Sequence, residues 1–323
     1  MIETNPTEGN IFKPSVLAEK SHGFISFRLL PHFSSCIILL VSLYYISQLF
    51  FLYTCPDHPS TMDLVNLMSL KVGSLALLLI YGYYYLLYRY QFPFMEQFKI
   101  NNLPWPWESN PETWSVYIKD AIKTAFFNQI VIFPVILVFF MAYFRPNTDP
   151  AAIPNFATFL FHGLIMTFTE DFSFYWCHRF LHLPFFYKRI HKKHHKHFNI
   201  INISSVYTHW AEFALGNAVC MLAGMMVLHG HLHVVTLNAF AVFRLIETNE
   251  AHCGYDFPWS PFKVFPFSTD SAYHNYHHLK NMGNYGSFFS IWDTIFKTNQ
   301  DFNDEIAREQ NHSKSLIQGR WSY

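Results

Sequence analysis

The chain has 323 residues, 51% hydrophobic and 20% aromatic but only 14% charged, with a formal net charge of zero. Soluble domains carry roughly a quarter charged residues, so this composition makes lipid part of the solvent. Zero net charge gives no overall field that argues for a nucleic-acid or acidic partner, and five scattered cysteines without CxxC spacing argue against a disulfide framework or a cysteine-ligated metal.

The polar start, residues 1–33, lacks the basic-then-apolar layout of a cleaved signal peptide and reads as a cytosolic arm. Residues 34–177 read as transmembrane helices, with apolar stretches at 35–54, 72–88, 126–144 and 153–176. Each comes near the roughly 20 residues that a helix needs to cross a bilayer. Residues 89–125 read as interfacial, because PWPWESNPETW (104–114) places Trp105 and Trp107 where tryptophan suits the headgroup layer. A helical pattern opens there near Pro111. Residues 178–323 read as a cytosolic catalytic cap, interrupted at 211–247 by a stretch too long for one span and therefore expected to form a membrane hairpin. Basic residues set the orientation. Lys13, Lys20 and Arg28, then Arg89, Lys99, Lys119 and Lys123, then Arg179, Lys188, Arg189, Lys192, Lys193 and Lys196 all fall on one side with these pairings. Every histidine cluster falls on that side too.

Histidine is the unusual count, at 19. HRFLH supplies His178 and His182, HKKHH supplies His191, His194 and His195, and HNYHH supplies His274, His277 and His278. On a helix, positions i, i+3 and i+4 share a face, so each cluster is expected to aim its imidazoles at a common point. Neutral imidazole ligates iron, zinc, copper and nickel, and eight imidazoles exceed what one ion can hold. Two metals are the natural reading. Zinc hydrolysis would need glutamate at the second position of a helical HExxH, and neither HRFLH nor HKKHH has it. Paired iron fits better, although the ExxH layout of carboxylate-bridged di-iron bundles is absent. A pair of cations among neutral ligands calls for acids nearby, some of them accepting the far ring N–H of a ligand. The candidates are Glu170, Asp171, Glu212, Glu247, Glu250 and Asp256. The expected fold is all-α: an integral membrane helical bundle with a cytosolic histidine-rich helical cap holding a di-metal site.

At these residues the sequence resembles the membrane fatty acid hydroxylase superfamily, and within it the sterol C4-methyl oxidases. The resemblance rests on EDFSFYWCHRFLH (170–182), YKRIHKKHH (187–195), YTHWAEFALG (207–216), RLIETNEAHCGYDFPWSP (244–261) and YHNYHHLKNMGNYGSFFSIWDTIFKT (273–298). It covers roughly 111–298; the first hundred residues match only in hydropathy. It implies that His252 is a further metal-site histidine. Asp256, four residues on, becomes a ligand or ligand-orienting acid if that stretch is helical, and Glu247 and Asp171 are candidates for the same supporting role. His209 occupies a position whose histidine is a weaker ligand candidate. His197, His229, His231 and His233 match nothing ligand-like, and the last three are expected at the luminal turn of the hairpin. Two departures stand out: Phe174 replaces a histidine that some members carry, and HWAE replaces an HPLE-like form.

The resemblance further implies stepwise oxidation of a sterol 4α-methyl group in the endoplasmic reticulum membrane. It implies two Fe ions, O2 as cosubstrate, and electrons from NAD(P)H through a separate carrier, cytochrome b5 with its reductase or an equivalent donor. The chain itself has no GxGxxG fingerprint for a nicotinamide. Side-chain hydroxylation or C5 desaturation of a sterol and hydroxylation of a fatty acid are the alternatives within the same chemistry. A non-catalytic metal-binding membrane protein would need an acidic or histidine-lined path through the bilayer, and the apolar segments show little of that.

Overall fold

In a computed structural model, residues 29–54, 62–197, 199–308 and 311 are described. Most of the expected N-terminal arm, residues 1–28, lies outside them. Among the described residues the fold is all-α, with only isolated bridges such as Asn147 to His233 in place of strands. The principal helices are α1 (Leu29–Thr54), α2 (Met62–Tyr90), α3 (Pro111–Phe144), α4 (Phe156–Leu181), α5 (Trp210–Val227), α6 (Val234–Ala251) and α7 (Ser271–Lys280). Four of them, α1, α2, α3 and α5, contain stretches long and apolar enough to cross a membrane. Large apolar side chains such as Ile38, Leu49, Leu78, Val135 and Phe139 stand exposed on their outer faces, which is how a helix meets lipid.

The expected span at 153–176 forms α4 but is not among those four. Its hydropathy is lowered by Glu170 and Asp171, both buried, while its exposed stripe is apolar: Phe161, Leu164, Phe168, Phe172 and Trp176. Those spacings of three and four residues mark a single helical face. The helix turns its acids inward and its rings outward.

The 211–247 stretch folds back on itself as α5 and α6, and its turn meets the α3–α4 connection, where Asn147 donates to Leu232 O and accepts from Val234 N. The His233 ring caps α6, accepting from Val235 N at 3.1 Å, and its Nε2 donates to Asp149 O at 3.1 Å. α6 is the central helix, packed against α1, α2 and α4. Helix α3 widens to a π turn at Asn128–Ile132, just before Pro134. Proline lacks the N–H that would close the ladder onto Ile130 O, and its ring crowds that carbonyl. The buried Asn128 amide uses the irregularity to donate to Thr208 O.

Trp105 departs from its expected interfacial place. It is 1% exposed, stacked on Trp107 and packed beside Tyr255 in an aromatic layer that also takes in Tyr88. Gly254, at φ +75°, lets the chain pass this ring: a Cβ there would press on both Trp105 and Ile200 O. That turn also ends the helical register after Ala251, so Asp256 does not share a helix face with His252.

Candidate metal centre

α4 and α6 both run from the Asn147–His233 end of the bundle to the opposite end, where α4 delivers His178 and His182 follows as its C-terminal cap residue. His252 is the first residue beyond α6. Asp270 caps α7, accepting from Tyr273 N at 2.9 Å, and this helix carries His274, His277 and His278. The remaining cluster departs from expectation: His191–Lys196 is a 3-10 turn kinked at His195, not an α-helix.

The nine imidazoles gather into two groups. His178, His182, His191, His195 and His277 form one; His194, His252, His274 and His278 form the other. The expectation that each sequence cluster serves a single point is therefore corrected. HKKHH divides, with His194 turned away from His191 and His195, and HNYHH divides, with His277 turned away from His274 and His278. On α7, neighbours His277 and His278 diverge by about 100°, while His274 and His278 lie one turn apart on one face with their rings edge to face. In the first group the Nε2–Nε2 separations are 3.2 Å for His178–His191, 3.0 Å for His191–His195, 3.1 Å for His195–His277 and 3.2 Å for His277–His182. In the second they are 3.4 Å for His194–His252, 2.8 Å for His252–His274 and 3.1 Å for His274–His278. Two ligands at right angles with metal–nitrogen bonds of about 2.1 Å stand about 3.0 Å apart, so these separations match the edges that two coordination shells would have.

The protonation states fit as well. Burial pushes His178 and His252 down to about 4 and His182 to about 2, and it lowers His191, His194, His195, His274, His277 and His278 well below the ordinary imidazole range, with neighbouring imidazoles adding to the effect. All nine are held neutral, the ligand form. Backbone carbonyls can only accept, so the Nδ1 of His178 donates to Tyr285 O at 2.9 Å, that of His252 to Thr248 O at 2.8 Å and that of His277 to Gly283 O at 2.6 Å. His191 Nδ1 donates to Glu212 Oε1 at 2.8 Å. In each case the donated proton leaves the Nε2 lone pair for a metal. The residues present fit two imidazole-bound metal ions.

A scan against family descriptions matches residues 163–298 to "Fatty acid hydroxylase". Methylsterol monooxygenase 1 of Danio rerio is 32% identical over 68% of this chain and 72% of its own length. The chain belongs to the membrane fatty acid hydroxylase and sterol desaturase superfamily. A very-long-chain aldehyde decarbonylase, GL1-11, of Oryza sativa subsp. indica is 34% identical over 61% of this chain and 74% of its own length. Fatty acid hydroxylase domain-containing protein 2 of Homo sapiens is 35% identical over 61% of this chain and 56% of its own length. No solved structure matches the chain. This member of the superfamily is an oxidative enzyme of the di-iron type that acts on a lipid.

The other candidates stand apart from both histidine groups. Asp171 accepts from Phe288 N, Phe289 N and Trp292 Nε1, tying α4 to the loop beyond α7. Glu247 and Glu170 both bind Arg244, and Asp256 pairs with Lys263 at 2.8 Å. His209 caps α5, its Nδ1 accepting from Ala211 N. Of the six acids weighed from sequence, Glu212 bonds directly to a histidine of the two groups, His191. Sequence reasoning missed the carbonyls of Gly283 and Tyr285. The signal for them lies in GNYG (283–286): Gly283 takes φ +73°, and Asp293 accepts from Tyr285 N at 2.8 Å and Gly286 N at 2.7 Å.

Proposed function

We propose that the enzyme oxidises the 4α-methyl group of a membrane sterol, in steps, with His178, His182, His191, His194, His195, His252, His274, His277 and His278 as its iron ligands. The observation that carries this reading is the pair of neutral histidine shells opening on a cavity between the helices. His178, His191, His194, His252 and His274 line one end of it, and apolar residues including Leu137, Leu222 and Leu237 line the rest. The methylsterol monooxygenase name of the Danio rerio relative supports the sterol. Bound iron would supply O2 activation and the oxidising power for an unactivated C–H bond. The chain's own part is preorganisation. Backbone carbonyls and Glu212 hold the imidazole tautomers, the apolar wall excludes water, and the helices admit lipid from the membrane side. Electrons come from NAD(P)H through a separate carrier, cytochrome b5 with its reductase, in the endoplasmic reticulum membrane with the site toward the cytosol.

The test is turnover of a 4-methylsterol by purified full-length protein, with iron counted per chain. Two irons and O2-dependent oxidation of the 4-methyl group support the reading; a single zinc without O2 consumption sinks it. The decarbonylase and hydroxylase-domain relatives, of similar identity, favour a second reading in which another lipid is oxidised. Iron-loaded protein that is inert to 4-methylsterols but consumes O2 with a different lipid selects that one.

A further inference from the structure

Away from the histidines, the same cavity holds charge that metal binding does not explain. Arg244 donates from Nη1 to Glu247 at 2.6 Å, and from Nη2 to Glu170 Oε1 at 3.0 Å and to Ser287 Oγ. Arg244, Glu170 and Glu247 are each 4–5% exposed, and all three line the cavity with Ser287. Two carboxylates thus share one guanidinium, and Glu170 Oε2 is buried without a hydrogen-bond partner among the described residues. A buried carboxylate oxygen left unpaired costs free energy, and a donor on a bound ligand relieves it. Glu212 Oε2 is also unpaired, but Glu212 already serves the ligand His191. Asn238 Nδ2 is orphaned further from the metal centre, about 21 Å along α6 from His252.

Position selects Glu170. It precedes His178 by eight residues on α4, and Arg244 precedes His252 by eight along α6, so the cluster sits about 12 Å along either helix from the metal end. The long side chains close part of that gap. A group a few bonds from the reacting carbon would reach it while the carbon lies at the metals. A carboxylate accepts, so the group must be a donor, and an uncharged O–H suits a cavity whose wall is otherwise largely apolar.

We propose that Glu170, held by Arg244 and Glu247, binds a hydroxyl group of the lipid substrate and so fixes which carbon faces the metals. For the sterol reading on which this rests, the group is the 3-hydroxyl, on the ring carbon next to the one bearing the 4-methyl group. The contact is a specificity determinant: a site built to pair a substrate O–H discriminates strongly against an analogue lacking it.

Binding to iron-loaded, anaerobic full-length protein in nanodiscs tests the assignment without turnover. The probes are a 4-methylsterol, its 3-deoxy analogue, a long-chain alcohol and the matching alkane; iron content is the folding control. Wild type should bind the 3-hydroxysterol about 100-fold more tightly than the 3-deoxy form, as a hydrogen bond to a charged group gives, and Glu170→Gln should narrow that gap to about 10-fold or less. Equal and specific binding of the two sterols overturns the hydroxyl site and leaves the sterol reading standing. No sterol binding, with an alcohol preference that Glu170→Gln removes, overturns the sterol reading and upholds the hydroxyl site. A hydroxyl preference that Glu170→Gln leaves intact overturns the assignment to Glu170. If the variant loses its iron, the wild-type comparison of hydroxyl and deoxy sterols still decides whether a hydroxyl is read.

Discussion

His191 and Glu212 meet at 2.8 Å, Nδ1 to Oε1, and both are almost completely buried. The pair joins the 3-10 turn that holds His191, His194 and His195 to the first turn of α5, so the acid of HWAE reaches the histidine groups although the histidine of that motif, His209, does not. A ligand imidazole whose far N–H is held loses neither its tautomer nor its orientation. Glu212→Ala should therefore weaken metal binding at the five-histidine group by about 10- to 100-fold, read as iron retained after dialysis against a graded chelator. Glu212→Gln, which keeps an acceptor oxygen, should lose much less. Equal retention by wild type and the alanine variant would show that the contact does not support the metal.

Adjacent histidines should empty different sites. His194 belongs to the four-histidine group and His195 to the five-histidine group. His194→Ala and His195→Ala are each expected to lower iron from two toward one per chain, and each to abolish lipid oxidation. The double variant should approach zero iron. If both single variants strip the same metal, as judged by Mössbauer spectra of the remaining iron, the division of HKKHH between two shells is wrong.

The histidine clusters and the all-α class were legible because spacing and hydropathy are local properties of a sequence. The allocation of ligands was not. It depends on the 3-10 geometry at His191–Lys196, which no periodicity announces, and on α7 presenting two faces at once. The role of Asp256 was misread for a similar reason: its link to His252 required a helix that the positive φ of Gly254 ends. Glu212 could be named but not chosen, since proximity to His191 is made by the return of α5. Trp105 looked interfacial because tryptophan favours that layer, whereas here the cap folds over it.

The loop after α7 offers a prediction about stability. Asp293 accepts from the amides of Tyr285 and Gly286 and from Thr298 Oγ1, and it is fully buried. The carbonyls of Gly283 and Tyr285, on the same loop, hold His277 and His178. Asp293→Ala leaves buried donors unpaired at about 1–3 kcal/mol each, so a loss of about 3 kcal/mol or more is expected. Hydrogen exchange at the Tyr285 and Gly286 amides should accelerate, and iron retention should fall with it. Unchanged exchange at both amides would mean that the loop is held by something else.

Acid should undo the metal-free centre before it undoes the loaded one. Burial lowers His178 and His252 to about 4, whereas an unfolded imidazole titrates near 6.5. Between those values the unfolded chain binds more protons than the folded one, so the stability of the folded form rises with pH in that window and falls as pH drops through it. Above about 6.5 neither state is protonated and the dependence vanishes. The unfolded imidazole is only half protonated at pH 6.5, so each of the two histidines removes about 1 kcal/mol between pH 6.5 and 5.5, and the pair should cost the metal-free cap about 2 kcal/mol over that unit. Bound metal occupies the same nitrogens and must be displaced before they accept protons, so the loaded protein should hold its melting temperature further into acid until the metal leaves. Thermal melts of both forms from pH 7.5 to 4.5 check this. A metal-free form whose melting temperature stays flat across that range would show that its imidazoles are already solvated, and that the two shells are not preformed before metal arrives.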